Sequence, residues 1–289
     1  MSRRQLSRQD NFTEISPDVG VFDEDAFDRA MAENPDDAMA MLADMAGATD
    51  RRLAAMARRI AGRLVIDIAR GGKAAGRGVG QWVSVPAGRS EGDLDIDASL
   101  DALHISRATK MPPAMDELRV LTWKRASTAL CLLVDRSGSM RGSRLISAGV
   151  TAAGCAWRAP TDYSVVAFAD DAWVLKSMLG FRPTDALVND LLRLRGHGVT
   201  NLALALETAR DQLSRSNAKR RVAILLSDCR QTTGEDPTAA ARGLDELAIF
   251  APTGDSEDAE LLAAAAGARV ATIESPFEAP AALARLLDR

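Results

Sequence analysis

Three patterns of apolar and polar positions follow one another along the chain, and each predicts a different kind of element. Over residues 50–70, Leu53, Met56, Ala57, Ile60, Leu64 and Ile68 recur at helical spacing with Arg and Asp on the opposite face, and Gly71-Gly72 ends the stripe. Upstream, the Ala-, Met- and acid-rich stretch from Glu24 to about Ala46 is broken by Pro35 and reads as two short helices. Residues 1–22 are polar and irregular and are expected to be mobile. Beyond residue 125 the texture changes. "STALCLLV" and "RVAILLSD" are unbroken apolar runs, the mark of strands buried on both faces. "YSVVAFAD" and "AWVLK" read as two strands joined by a tight turn at Asp170-Asp171. Between and after them lie helical stripes: Leu145, Ala148, Gly149, Ala152 and Ala156, then Leu202, Ala205, Leu206, Ala209 and Leu213. "PTAAARGL", "DELAIFAP", "SEDAELLAAAAG", "ARVATI" and "PAALARLLDR" continue the alternation as helix, strand, helix, strand and helix.

Strands alternating with helices predict an α/β fold with a doubly wound, mostly parallel sheet, to which the hairpin adds one antiparallel edge strand. The expected organisation is a mobile N-terminus (1–22), a mainly helical region with a Gly-rich connector (23–118) and an α/β domain (125–289). In the connector, "GRGVG" does not match the dinucleotide fingerprint, and the Lys of "GGKAAG" is not followed by Ser or Thr as a phosphate loop requires. Asp93, Asp95 and Asp97 alternate like the start of a calcium loop, but Ala98 stands at position six and His104 at position twelve, which rejects it. A polar-faced strand ended by Asp97 capping a helix fits better. No internal repeat is present.

Composition narrows the function. The chain has 289 residues, 47% hydrophobic and only 4% aromatic, so its core rests on Ala, Leu, Val and Met. A net charge of −4 argues against a general nucleic-acid binder, and Arg220-Arg221 reads as a solvated strand entrance. Cys131, Cys155 and Cys229 make no CxxC pair or metal spacing. The basic N-terminus lacks the apolar stretch of a signal peptide, and no run approaches the roughly 18–20 apolar residues of a membrane span. A soluble, cytoplasmic protein is expected.

The chemistry collects at strand ends, where open α/β sheets bind ligands. Asp135, Ser137 and Ser139 follow the first buried strand, Thr200 precedes a helix in "GHGVTNLALAL", and Asp228 ends the strand "AILLSD". Together they offer two carboxylates and three hydroxyls, the donor set of a hard divalent cation. Neutral hydroxyl ligands leave such a cation electron-poor and attractive to an external carboxylate, while the aspartates can hold its waters. Gly138 lets the loop bend so that both serines face inward.

The pattern Asp135-x-Ser137-x-Ser139 with Thr200 and Asp228 resembles the metal-ion-dependent adhesion site of von Willebrand factor A (VWA) domains, over about residues 125–289. The resemblance implies that Ser137 and Ser139 bind the metal directly, Thr200 directly or through water, and Asp135 and Asp228 mainly through water, with Mg²⁺, Mn²⁺ or Ca²⁺ as cofactor. The chain departs from the family where Val199 separates Gly198 from Thr200, and where Cys229 stands in place of a frequent Gly. The layout, helices before a C-terminal VWA domain, is similar to cytosolic prokaryotic VWA proteins that work with MoxR-type AAA+ ATPases. "GDLDIDASLDAL" looks like the segment that precedes the VWA domain in CoxE-like members, with Ser99 for Thr and without their arginines. The implied function is a non-enzymatic adaptor that docks an acidic residue of such an ATPase or its client, without nucleic acid or membrane. Two alternatives stay open: a scaffold with a vestigial site acting through self-assembly, and a metal-dependent hydrolase. The hydrolase lacks support in the motifs. Ser137 stands where an aspartyl-phosphate enzyme needs its second acid, Asp135 occupies the leading Gly of a nucleophile elbow, and of the two histidines only His197 lies near the site.

Overall fold

The computed structural model describes residues 1–9, 11–71, 80–87, 93–115, 117–125, 128–137, 143–194 and 198–287. They fall into two compact units, Met1–Gly76 together with Thr128–Arg289, and Arg77–Ser127.

The first unit begins with α1 (Arg3–Leu6), α2 (Phe12–Ile15), α3 (Glu24–Glu33), α4 (Pro35–Ala46) and α5 (Arg51–Gly71). Caps set the breaks between them: Asp23 accepts from Ala26 N, Asn34 accepts from Asp37 N with Pro35 in the first turn, and Asp50 Oδ1 accepts from Arg52 N and Leu53 N. The N-terminal stretch expected to be mobile carries part of the core. Leu6, Phe12 and Ile15 are fully buried, and the Arg3 guanidinium donates to the carbonyls of Ser16 (2.6 Å), Pro17 (3.0 Å) and Asp18 (2.9 Å). Leu6, Phe12 and Ile15 are unevenly spaced and show no period, so tertiary burial decides their conformation.

The unit continues with β4 (Thr128–Asp135), α7 (Ser143–Arg158), β5 (Tyr163–Phe168), β6 (Ala172–Lys176), α8 (Thr184–Leu191), α9 (Leu202–Ser214), β7 (Arg220–Leu226), α10 (Pro237–Arg242), β8 (Glu246–Pro252), α11 (Glu257–Ala266), β9 (Arg269–Ile273) and α12 (Ala279–Leu287). Its sheet has the order β6-β5-β4-β7-β8-β9, parallel throughout except for the antiparallel β5–β6 pair at the edge. This is the expected doubly wound α/β architecture; α8 alone was not legible as a separate element.

Alternation along each strand feeds two cores. Leu130, Leu132 and Val134 of β4 enter one cluster with α7, α8, α12 and the N-terminal helices; Ala129, Cys131 and Leu133 enter the other with α9, α10 and α11. The N-terminal helices are therefore part of the α/β core. Ala57, Ala61 and Val65 of α5 are fully buried, and Gly149 on α7 leaves room for Val65, whose methyl would lie 3.4 Å from an added Cβ. The boundary expected near residue 118–125 thus divides the chain differently from the structure, which joins residues before 77 to those after 127.

The second unit holds β1 (Gly80–Pro86), β2 (Asp93–Leu94), α6 (Ile96–Thr109) and β3 (Arg119–Arg125). The strands form an antiparallel sheet in the order β1-β3-β2, where the sequence suggested a Gly-rich connector and one polar-faced strand. Asp95, not Asp97, caps α6, accepting from Ala98 N at 3.1 Å. The strand ends two residues sooner than its alternation suggests, because Ile96 and Asp97 already have helical conformation. Among the described residues, no helix is long and apolar enough to cross a membrane.

Candidate metal centre

The winding of the sheet reverses at β4: the chain moves outward to β5 and β6, then returns to the other side for β7, β8 and β9. Strand ends beside such a reversal leave a crevice for ligands. Asp135 is the last residue of β4 and is fully buried there. Its Oδ1 accepts from Ser137 N at 2.7 Å, closing an Asx turn, and its Oδ2 accepts from Ser227 Oγ at 2.5 Å. Ser227 follows β7 directly, so the second bond ties the ends of two adjacent parallel strands together. Asp228 comes next, is 5% exposed, and closes its own turn by accepting from Arg230 N at 3.1 Å.

Thr200 is 3% exposed and is held by the loop after β7. Its N–H donates to Thr232 Oγ1 at 2.8 Å, and its carbonyl accepts from Thr232 N at 3.1 Å and Thr233 N at 3.2 Å. Its neighbour Asn201 donates N–H to Ala169 O beyond β5 at 2.7 Å and caps α9 by accepting from Leu204 N at 3.1 Å. Gly234 has φ +89° and sits so close to Asn201 that a Cβ would lie 2.3 Å from its Oδ1, which no side chain tolerates. Asp135, Ser137, Thr200 and Asp228 therefore share the carboxyl-end rim of β4, β5 and β7. Ser139 and His197 lie outside the described residues.

Burial chiefly raises the Asp135 carboxyl above its ordinary range; the bonds from Ser227 and Ser137 oppose this, and the nearby Asp228 charge adds to it. Arg136, next in the chain, directs its charge elsewhere. It is 2% exposed, stacks 3.9 Å from the Trp173 ring centroid and pairs with Asp171, which also accepts from Trp173 Nε1 at 2.6 Å. Its own N–H donates to Phe168 O at 2.8 Å, so this network pins the loop after β4 to the β5–β6 hairpin.

The residues fit a hard divalent cation. Two buried acids lie at adjacent strand ends, and the Asp135 carboxylate is beside the hydroxyls of Ser227 and Ser137. Among the described residues, no group of three or more His, Cys, Asp or Glu side chains could hold a metal. The three thiols are held protonated: burial pushes Cys131 and Cys155 up to about 12, and burial together with the Asp228 and Asp135 charges raises Cys229, which directly follows Asp228.

The profile of one protein family, described as VWA domain containing CoxE-like protein, matches residues 39–254, about three quarters of the chain. The chain belongs to the CoxE-like VWA family. The match begins within α4, includes α5 and runs through β8. No curated protein matches the sequence.

Solved structures similar to this CoxE-like chain include proximal thread matrix protein 1 from the mussel byssus (15% identity, TM-score 0.45, covering 56% of this chain and 48% of that one). A von Willebrand factor type A protein from Catenulispora acidiphila is similar at 20% identity and TM-score 0.44, over 57% and 43% of the two chains. An aerotolerance-related membrane protein from Bacteroides fragilis is similar at 14% identity and TM-score 0.45, over 55% and 98%. The chain spans less than half the length of the first two.

Sequence reasoning missed Ser227, Asn201 and Thr232. Asn201 could have been found, since an Asn directly before "LALALETA" is a helix-cap signal. Ser227 and Thr232 carry no such mark; only folding shows that they meet Asp135 and Thr200. Cys229 has φ +60°, the left-handed region that favours glycine.

Proposed function

We propose that this CoxE-like VWA protein is a non-catalytic, metal-dependent adaptor that docks an acidic residue of a protein partner at the rim of β4, β5 and β7. The observation that carries this reading is the strap from Ser227 to Asp135, which brings the Asp135 and Asp228 strand ends together next to the Thr200 loop. A bound Mg²⁺, Mn²⁺ or Ca²⁺ would supply a localised positive charge with a position open to an external oxygen ligand. Ser137, Ser139 and Thr200 are the hydroxyl donors; Asp135, with both oxygens already accepting, and Asp228 hold position and balance charge. The partner's carboxylate is attracted by the net charge of the loaded site and fixed in register by the surrounding loops. On this reading the partner is a MoxR-type AAA+ ATPase or a client of one, an expectation that rests on the resemblance of the sequence layout alone.

The test is equilibrium dialysis with Mg²⁺ and Mn²⁺ on the wild type and on Ser137→Ala/Ser139→Ala, beside a pull-down with a MoxR-type ATPase with and without EDTA. Metal retained by the wild type alone, and a partner lost in EDTA, are the expected results. Equal retention by both proteins would overturn the site, and an EDTA-resistant pull-down would overturn the docking mechanism.

A further inference from the structure

The turn of the β5–β6 hairpin is joined to both Ser137 and Thr200, hydroxyl donors from opposite sides of the metal rim. Asp171, in that turn, is the point where the two links meet. Its carboxylate accepts from the Arg136 guanidinium and, through Oδ2, from Trp173 Nε1 at 2.6 Å. Its carbonyl accepts from Ala169 N at 2.9 Å. Ala169 O in turn accepts from Asn201 N at 2.7 Å, and Asn201 directly follows Thr200. Arg136 directly precedes Ser137 and donates its own N–H to Phe168 O at 2.8 Å. One residue therefore reaches the Ser137 loop by its side chain and the Thr200 loop by its backbone.

The neighbouring Asp170 reinforces both links. Its Oδ1 lies 3.9 Å from Arg136 Nη2, and 3.9 Å from where a Cβ on Gly198 would stand, so the loop before Thr200 passes close to the turn. The arginine is an expensive way to fill this space. It is 2% exposed, its Nε has no hydrogen-bond partner, and burying a permanent charge is costly unless every contact is good. An apolar side chain would pack here without that cost. What the guanidinium adds is a rigid plane that holds a carboxylate and the Trp173 ring in one arrangement.

We infer that Asp171, with Arg136 and Trp173, fixes the separation of Ser137 and Thr200 and thereby selects the size of the cation. This role rests on the metal-site reading. The three residues act through the two loops, as positioning residues and not as ligands. A fixed separation suits Mg²⁺, which demands near-octahedral geometry at about 2.0–2.1 Å, whereas Ca²⁺ accepts flexible arrangements at about 2.3–2.6 Å. Loosening the link therefore costs the smaller ion more.

The test is equilibrium dialysis of the full chain, with Mg²⁺ and with Ca²⁺, for the wild type, Arg136→Met, Asp171→Asn and the double variant. Each single variant should weaken Mg²⁺ about tenfold and Ca²⁺ about threefold or less. The double variant should lose no more than a single one, because the pair acts as a unit. Arg136→Lys, which keeps the charge without the planar fork, should recover part of the Mg²⁺ binding. In EDTA, hydrogen exchange at the Arg136 and Asn201 amides should quicken in both single variants while β7 and β8 exchange as before. Equal losses of the two ions, additive losses in the double variant, or unchanged exchange at those two amides would overturn this role. Single variants that retain Mg²⁺ like the wild type would overturn it and leave the metal site standing. A wild type that retains neither ion would overturn the site itself, and this role with it.

Discussion

At the level of single residues, Cys229 shows how the loop after β7 is held. Its φ of +60° costs an L-residue about 1–2 kcal/mol relative to glycine. Its side chain is 5% exposed and packs in the core beneath the loop, which offsets part of that cost. Cys229→Ala and Cys229→Gly both lose the sulfur, but only the second relieves the backbone. Cys229→Gly should therefore be the more stable of the two by about 1 kcal/mol in urea denaturation, the reverse of the usual order. Asp50 gives a prediction in pH. Its carboxyl is held below its ordinary value chiefly by the N–H of Leu53 in the first turn of α5, while burial works against this. A depressed carboxyl stabilises the fold above the unfolded value near 3.8 and loses that contribution as pH falls through the lower folded value. Asp50→Ala should cost about 1 kcal/mol at pH 7, and its gap to the wild type should narrow by pH 3, as read from paired denaturant melts.

At the level of elements, α7 is the helix on which both halves of the first unit converge. One side meets β4 and β5, and the other meets α5, α8 and α12. Gly149 sits where α7 faces Val65 of α5 and Val188 of α8, with contacts at 3.4 Å and 3.7 Å from an added Cβ. A methyl fits that space and a longer side chain does not. Gly149→Ala should be neutral or stabilising by up to about 1 kcal/mol through helix propensity. Gly149→Leu should destabilise by about 1–3 kcal/mol through overpacking, with both values read from chemical denaturation. Equal effects of the two would mean that α5 does not press on α7 as the structure shows.

At the level of the whole molecule, the hydrophobic clusters of the first unit draw on residues from 6 to 65 and from 129 to 287, and on no described residue between 77 and 127. Residues 128–289 expressed alone should therefore expose the outer face of α7 and α8 and elute as aggregates or melt without cooperativity. Replacing residues 77–127 by a flexible Gly/Ser linker should leave a cooperative melt close to that of the full chain. Size-exclusion chromatography and circular dichroism check both. A stable, monomeric 128–289 fragment would show that the N-terminal helices are an accessory and not part of the core.

The sequence by itself determined most of the local structure: the helices at 24–46 and 51–71, the buried strands β4 and β7, the hairpin of β5 and β6, and the places of Asp135, Thr200 and Asp228 at or beside strand and helix ends. These are legible because helical and strand periodicities, caps and turn residues act over a few neighbouring positions. The antiparallel β1-β3-β2 sheet was not legible, because its strands lie in Gly-rich and charged stretches whose pairing joins residues such as Val85 and Val120, far apart in the chain. Nor could the sequence show that Leu6, Phe12 and Ile15 are core residues, or that Ser227 meets Asp135 and Thr232 meets Thr200. Only the tertiary structure decided these, because burial and hydrogen-bond partnership depend on which segments the fold brings together, and no local pattern carries that information.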